Sequence, residues 1–216
     1  LFREYDDVTV VNNDLTKSKG LTLLAIVRNE IFLIPAFLDH YRALGIERFV
    51  ILDDQSDDGT AEFLFEQSDV MVVKSKSRYG ELISPQGRIP LPDMRSNIVW
   101  RNVLMGKYAL GRWAVMLDAD EFIVLPSGLG LQDVADRVDA GRRSVHGIML
   151  DCYPLNLSEL SEVRPFDPHV GWHFDGQPHL RLSTNGAVSE LYPGARARLL
   201  VQYGLRSLSA RKRLRN

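Results

Sequence analysis

Three short apolar runs, each closed by acidic or polar residues, constrain this chain more than any other feature. Leu21 to Val27 runs into Arg28-Asn29-Glu30, Arg48 to Leu52 into Asp53-Asp54, and Trp113 to Leu117 into Asp118-Ala119-Asp120. Runs of this length without alternation predict strands buried on both faces, as in parallel sheets. After the first run, Leu33, Ile34, Phe37, Leu38, Tyr41 and Leu44 recur at helical spacing, leaving Asp39, His40 and Arg42 for the outer face. Pro35 belongs in a first turn, so this helix should start near Leu33, and Gly45 is a natural stop. A second helix is predicted from about Thr60 to Gln67, and a further strand from Val70 to Val73. Strand-helix-strand-helix-strand with short connections implies an α/β fold, a mostly parallel sheet flanked by helices.

Ser75 to Leu91, with Gly80, Pro85, Gly87 and Pro90, reads as a long loop, and Pro92 to Leu110 as a helix ending at Gly111. Leu131 to Ala140 is predicted as a short helix and Val145 to Leu150 as a strand. Beyond Asp151 the periodicity weakens among prolines and glycines, and an irregular part of short strands and loops is expected. At 216 residues the chain suits one domain. It starts at Leu1 rather than Met, so a missing upstream segment is expected.

Lys and Arg number 26 against 28 Asp and Glu, a net charge of -2, which argues against nucleic acid as a partner. The single Cys152 excludes an intrachain disulfide and any multi-cysteine zinc site; a small buried hydrophobe is the expectation for it. No apolar run is long enough for a membrane span and no signal peptide is recognisable, so a cytoplasmic location is the default. The basic tail, Arg211-Lys212-Arg213 with Arg215, leaves room for peripheral contact with an anionic membrane surface.

Ligands of open parallel sheets bind at the carboxyl ends of the strands. If the three strands are neighbours, Glu30, Asp53, Asp54, Asp118 and Asp120 converge on one rim. Carboxylates so gathered repel one another unless a cation or hydrogen-bond donors offset them. Their hard oxygens suit Mg or Mn, ions that complete their shell with substrate phosphates and water. The convergence points to a diphosphate-bearing substrate. No phosphate loop of the G-x-x-x-x-G-K-[ST] or G-x-G-x-x-G kind competes, and neither H-E-x-x-H nor G-x-S-x-G occurs. Arg95 and Arg101, placed on the helix before the third acidic group, are within reach of a diphosphate, although a solvent-facing role is the commoner one for such arginines.

Val27-Arg28-Asn29-Glu30, Asp39-His40-Tyr41-Arg42-Ala43-Leu44-Gly45-Ile46, the segment Phe49 to Thr60 and Asp118-Ala119-Asp120-Glu121-Phe122 together resemble the family-2 type glycosyltransferases. The match is to a bacterial subgroup patterned N-E, D-x-S-x-D-G-T and D-x-D-E-F, and it covers about residues 20 to 125. The resemblance implies a GT-A-like (Rossmann-like) fold, with a nucleotide-sugar-binding half at 20–125 and an acceptor half at 126–216, shortened at its end. It further implies that Glu30, Asp53 and Asp54 hold base and ribose. Asp120 would bind the metal, with Asp118 near the ribose or the metal. The partners implied are a nucleotide-sugar donor and a glycan or other hydroxyl acceptor.

Inverting members use an acidic general base from the acceptor half. Asp151, Glu159, Asp175 and Glu190 are the candidates, with Asp151 preferred because it follows a predicted strand. Members also supply a metal-binding His from a later segment, for which His169, His173 and His179 lie in the right half. Trp172 and Tyr153 are candidates for stacking on an acceptor sugar, with buried packing as the ordinary alternative. Two other readings stay open: a nucleotide-sugar-binding module without turnover, and a haloacid-dehalogenase-like phosphatase. The phosphatases usually carry Thr or Val where this chain has Phe122.

Overall fold

The computed structural model of the protein describes residues 7–17, 19–84, 92–137, 152–154 and 172–174, and the backbone of 179–182 and 188–192. The chain divides into two units, 1–139 and 140–216. In the first, the order is β1 (Val8–Val10), β2 (Thr22–Val27), α1 (Ile34–Ala43), β3 (Arg48–Asp53), α2 (Thr60–Phe65) and β4 (Val70–Ser75). Then come β5 (Leu82–Ile83), β6 (Met94–Arg95), α3 (Ser96–Leu104), a π-helical turn (Met105–Ala109), β7 (Ala114–Met116) and α4 (Leu131–Arg137).

Among the described residues, one sheet has the order β1-β4-β3-β2-β7. β4, β3, β2 and β7 run parallel, and β1 pairs antiparallel on the outer edge of β4. The chain steps outward from β2 to β3 to β4, then returns to add β7 on the other side of β2. Between β2 and β7 the winding reverses, which opens a crevice at the carboxyl ends of the strands.

Alternation along the strands divides the core in two. Leu23, Ala25 and Val27 of β2 and Phe49 and Ile51 of β3 pack with Ile34, Phe37, Leu38 and Tyr41 of α1, Leu64 of α2 and Leu131 of α4. Leu24, Val50 and Leu52 face the opposite way, toward Val99, Trp100, Val103 and Leu104 of α3. Both sheet faces are therefore covered, which explains runs with no polar alternation. Pro35 sits in the first turn of α1 and Gly45 ends it at φ +91.

Three expectations are corrected. Met94 and Arg95 are not helical: they pair antiparallel with β5, and the Ser96 N–H donates to the Glu81 carbonyl at 2.8 Å. Tertiary pairing outweighs helix propensity there, so Arg95 caps α3 from an extended conformation. β7 is half-buried rather than fully buried, because it lies at the sheet's margin and pairs only with β2 among the described residues. His40 is not an outward residue: its Nε2 lies 2.8 Å from the Ile123 carbonyl oxygen.

Arg42, partly exposed on the outer face of α1, forms two 2.7 Å bonds with Asp69 from Nε and Nη2. These bonds, opposed by burial, hold the Asp69 carboxyl below its ordinary 3.8. A carboxyl lowered on folding adds stability that is present above the unfolded value and lost as pH falls through the folded one. Acid should therefore weaken the fold below pH 3.8 through this pair. Asp69→Asn should cost about 1 kcal/mol at pH 7, discounting a charged hydrogen bond for partial exposure, and should shrink the acid limb of a urea-midpoint series.

In the second unit, β8 (Cys152–Pro154) pairs antiparallel with β9 (Trp172–Phe174), and β10 (His179–Leu182) with β11 (Val188–Tyr192). Cys152 is exposed rather than buried, as are Tyr153 and Phe174: a two-stranded ladder leaves little to cover its faces. The predicted strand at Val145 to Leu150, and Asp151, Glu159, Asp175, His169 and the basic tail, lie outside the described residues. No helix among the described residues is long and apolar enough to cross a membrane.

Candidate functional site

The crevice at the winding reversal is a cleft of about 430 Å³ lined by Ile26, Val27, Arg28, Glu30, Asp54, Tyr79, Asp118, Ala119 and Asp120. It gathers one acidic group from each of β2 and β3 and two from β7. Asp53 and Asp54 part company there. Asp53, the last residue of β3, is fully buried, takes the Ser56 N–H at 3.3 Å and has Lys74 Nζ at 3.5 Å as an ion pair. Asp54 follows it and lines the cleft, as the reversal of successive side chains along an extended chain requires.

Asp54 is 2% exposed; its Oδ2 accepts the Tyr79 N–H at 3.1 Å, and its Oδ1 is buried without a hydrogen-bond partner among the described residues. Burial raises its pKa, against the Tyr79 N–H and the charges of Arg28 and Arg78. A buried acceptor left unpaired costs free energy, so this oxygen is suited to a donor arriving from the cleft. Glu30 is raised too, first by burial and then by the negative charges of Asp120 and Asp58.

The loops after β2 and β3 hold each other. Asn29 and Asp57 exchange reciprocal bonds, Nδ2 to Oδ1 at 2.8 Å and Asp57 N–H to Asn29 Oδ1 at 2.9 Å. The Asn29 N–H donates to Ser56 Oγ, the Glu30 N–H to Thr60 Oγ1, and the Ile31 N–H to Asp58 Oδ2. Asn29 and Gln55 both take left-handed φ values of 56°, which a surrounding network of this kind must hold in place. Ser56, Asp57, Asp58 and Thr60 thus position Glu30; none of them lines the cleft.

α1 performs the same service for the residues after β7. Tyr41 Oη donates to the Glu121 carbonyl at 2.9 Å and accepts the Ile123 N–H at 2.8 Å. Phe122 packs on Tyr41, His40 and Phe37. Asp118 and Asp120 stay exposed in the cleft on this anchored turn, and the Asp118 N–H bonds Glu121 Oε2 at 3.1 Å.

Arg101 on α3, discounted as a solvent-facing residue, donates from Nη2 to Asp118 Oδ1 at 2.6 Å. Arg95 points its guanidinium to the Gly80 carbonyl at 2.7 Å and does not line the cleft. Tyr79 and Arg28 do line it, and the sequence reading did not single them out. A Tyr in a long loop and an Arg beside a motif carry no period or spacing that marks them. Trp172 and His173 lie on β9, and only the backbone of His179 and Glu190 is described.

Asp118 and Asp120 present hard, exposed carboxylate oxygens to a cleft carrying an excess of negative charge, a donor set that fits a divalent cation. No three His, Cys, Asp or Glu side chains gather into a metal-holding group among the described residues. Among the described residues a cation there would meet the carboxylates of Asp118 and Asp120, with water or a substrate suited to the remaining positions.

Fold and site together define a class, a mixed α/β protein with an acidic cleft at the reversal point of a mostly parallel sheet. No protein-family model and no solved structure matches the chain. A Ricinus communis protein named as a glycosyltransferase family 92 protein is 21% identical over 156 residues, which cover 72% of this chain and 26% of that protein. The chain thus spans about a quarter of that relative's length.

Proposed function

We propose that this chain is the donor-binding part of a divalent-metal-dependent glycosyltransferase with a GT-A-like fold, acting on a nucleoside-diphosphate sugar. The observation that carries the reading is the cleft between β2 and β7, where Glu30, Asp54, Asp118 and Asp120 meet at the position where open parallel sheets take nucleotides. The name borne by the Ricinus communis relative supports the same class.

On this reading the unpaired Oδ1 of Asp54 accepts a proton donor of the nucleoside, and Glu30 takes a ribose hydroxyl or a second base donor. Asp53 acts from behind, its pairing with Lys74 fixing the end of β3 from which Asp54 projects. Asp118 and Asp120 would hold Mn or Mg, which when bound supplies charge neutralisation of the diphosphate leaving group. Asp151 remains the proposed general base toward an acceptor hydroxyl of a glycan. We further propose that the basic tail contacts an anionic membrane surface and that the protein acts in the cytoplasm.

Thermal unfolding with the common nucleoside diphosphates, with and without manganese, tests this directly. A ligand that binds only the folded chain at about 100 times its Kd adds about 2.7 kcal/mol, a shift of several degrees in Tm. One nucleoside diphosphate should give that shift only with manganese. No shift with any of them, at concentrations well above 1 mM, would remove the reading.

A further inference from the structure

The cation nearest the carboxylate pair at the end of β7 belongs to the protein itself. Arg101 Nη2 sits 2.6 Å from Asp118 Oδ1, with side-chain exposures of 41% and 51%. α3 is a firm carrier for it. Val99, Trp100, Val103 and Leu104 are fully buried against the sheet, and Trp100 Nε1 donates to Ser75 Oγ at 3.1 Å. The guanidinium is always charged and has five N–H donors in a planar fork, a shape that fits phosphate as well as carboxylate. Only one of its nitrogens bonds a side chain in the described structure.

We propose that Arg101 is a shared positioning residue, pairing with Asp118 while the cleft is empty and turning to the diphosphate once cation and nucleotide enter. The inference rests on the donor-site reading above. A divalent cation arriving alone has to compete with the guanidinium for Asp118. Arriving with a diphosphate, it frees the guanidinium for a second anionic partner. Cation and nucleotide therefore bind cooperatively, and because such coupling is reciprocal, each tightens the other by the same factor.

The test measures manganese alone, from the paramagnetic resonance of the free ion, and nucleoside diphosphates by calorimetry at saturating manganese. Arg101→Gln removes the competitor and the clamp together. It should bind manganese alone several-fold more tightly, the gain expected when a charged competitor is lost. It should bind the preferred nucleoside diphosphate about 10- to 100-fold more weakly, through loss of a charge-assisted hydrogen bond. Arg101→Lys keeps the charge without the fork and should fall between wild type and Arg101→Gln for the diphosphate. A guanidinium that merely stayed on Asp118 would change manganese affinity by the same factor with and without the nucleotide. The factor by which the nucleotide tightens manganese should therefore fall in Arg101→Gln, and an unchanged factor overturns the exchange.

Weaker manganese binding in Arg101→Gln, or an unchanged diphosphate affinity, overturns the proposal while leaving the donor site intact. Wild-type protein that binds neither manganese nor any nucleoside diphosphate overturns both readings. Arg101 is partly exposed, so its variants should fold, and an unchanged circular dichroism spectrum checks this.

Discussion

Asp120→Ala is expected, on the donor-site proposal, to abolish manganese-dependent nucleotide binding and to lower the proposed sugar transfer by at least about 10²- to 10³-fold, the range for losing one electrostatic contact to a developing charge. It should not unfold the chain. Asp120 is exposed, and its charge is one of the causes that raise the Glu30 pKa. The sign follows from Glu30: a carboxyl raised on folding above 4.5 gives up its proton at higher pH in the folded state than in the unfolded one. Stability is therefore lost as pH rises from 4.5 through the folded value. Removing Asp120 relieves part of that loss, so at pH 7 the variant should melt at the wild-type temperature or slightly above. Activity collapsing while Tm holds marks a group kept for chemistry at the expense of stability. Undiminished manganese affinity in Asp120→Ala would sink its assignment to the metal, and a fall in Tm of many degrees would make the residue structural.

The second large effect lies at the opposite end of the sheet. Arg48 is 1% exposed and makes no ion pair among the described residues. It donates to Thr22 Oγ1 at 3.0 Å and to the carbonyls of Leu15 at 2.8 Å and Tyr108 at 2.6 Å. Burial, helped by the charge of Arg112, lowers its pKa. One side chain thus ties the segment before β2, the start of β3 and the π-helical turn after α3. Arg48→Met matches its length but leaves those acceptors without a donor, at about 1–3 kcal/mol for each that water cannot reach. A loss of about 3 kcal/mol or more is expected, read as a fall in the urea midpoint at constant m. Arg48→Lys should recover little, since an ammonium on a single stem cannot span three carriers. A loss below about 1 kcal/mol would mean that solvent satisfies these carbonyls.

Strands β2, β3 and β4 were legible because burial on both faces removes polar alternation, and Pro35 and Gly45 bracketed α1 through backbone geometry alone. β1 was not legible. It is three residues long, and it is held by the register of β4 and by Asn12, whose Oδ1 accepts the Val72 N–H at 2.6 Å. Nothing local in Val8-Thr9-Val10 encodes that. The acids of the cleft could be read from strand ends, since chain connectivity alone puts such residues on one rim. The division of labour between Asp53 and Asp54 could not, because it depends on which face of β3 meets Lys74. Arg48 read as an ordinary first strand residue, because its partners lie 26 to 60 positions away. Arg101 was legible as a cation near the site, but its pairing with Asp118 was not, because that partner is 17 residues distant, across the π-helical turn and β7.

The stitching between Asn29-Glu30 and Ser56 to Thr60 has an evolutionary consequence. These two loops are fastened to each other and not to whatever occupies the cleft, so their shape is complete before any occupant arrives, and little ordering entropy is left to lose on binding. Side chains that face the cleft, such as Arg28 and Tyr79, can then be exchanged one at a time without disturbing the turn that presents Glu30. Such a frame would let the cleft's lining vary while the architecture is inherited, with Asp57 and Asp58 constrained by the loop they fasten although neither lines the cleft.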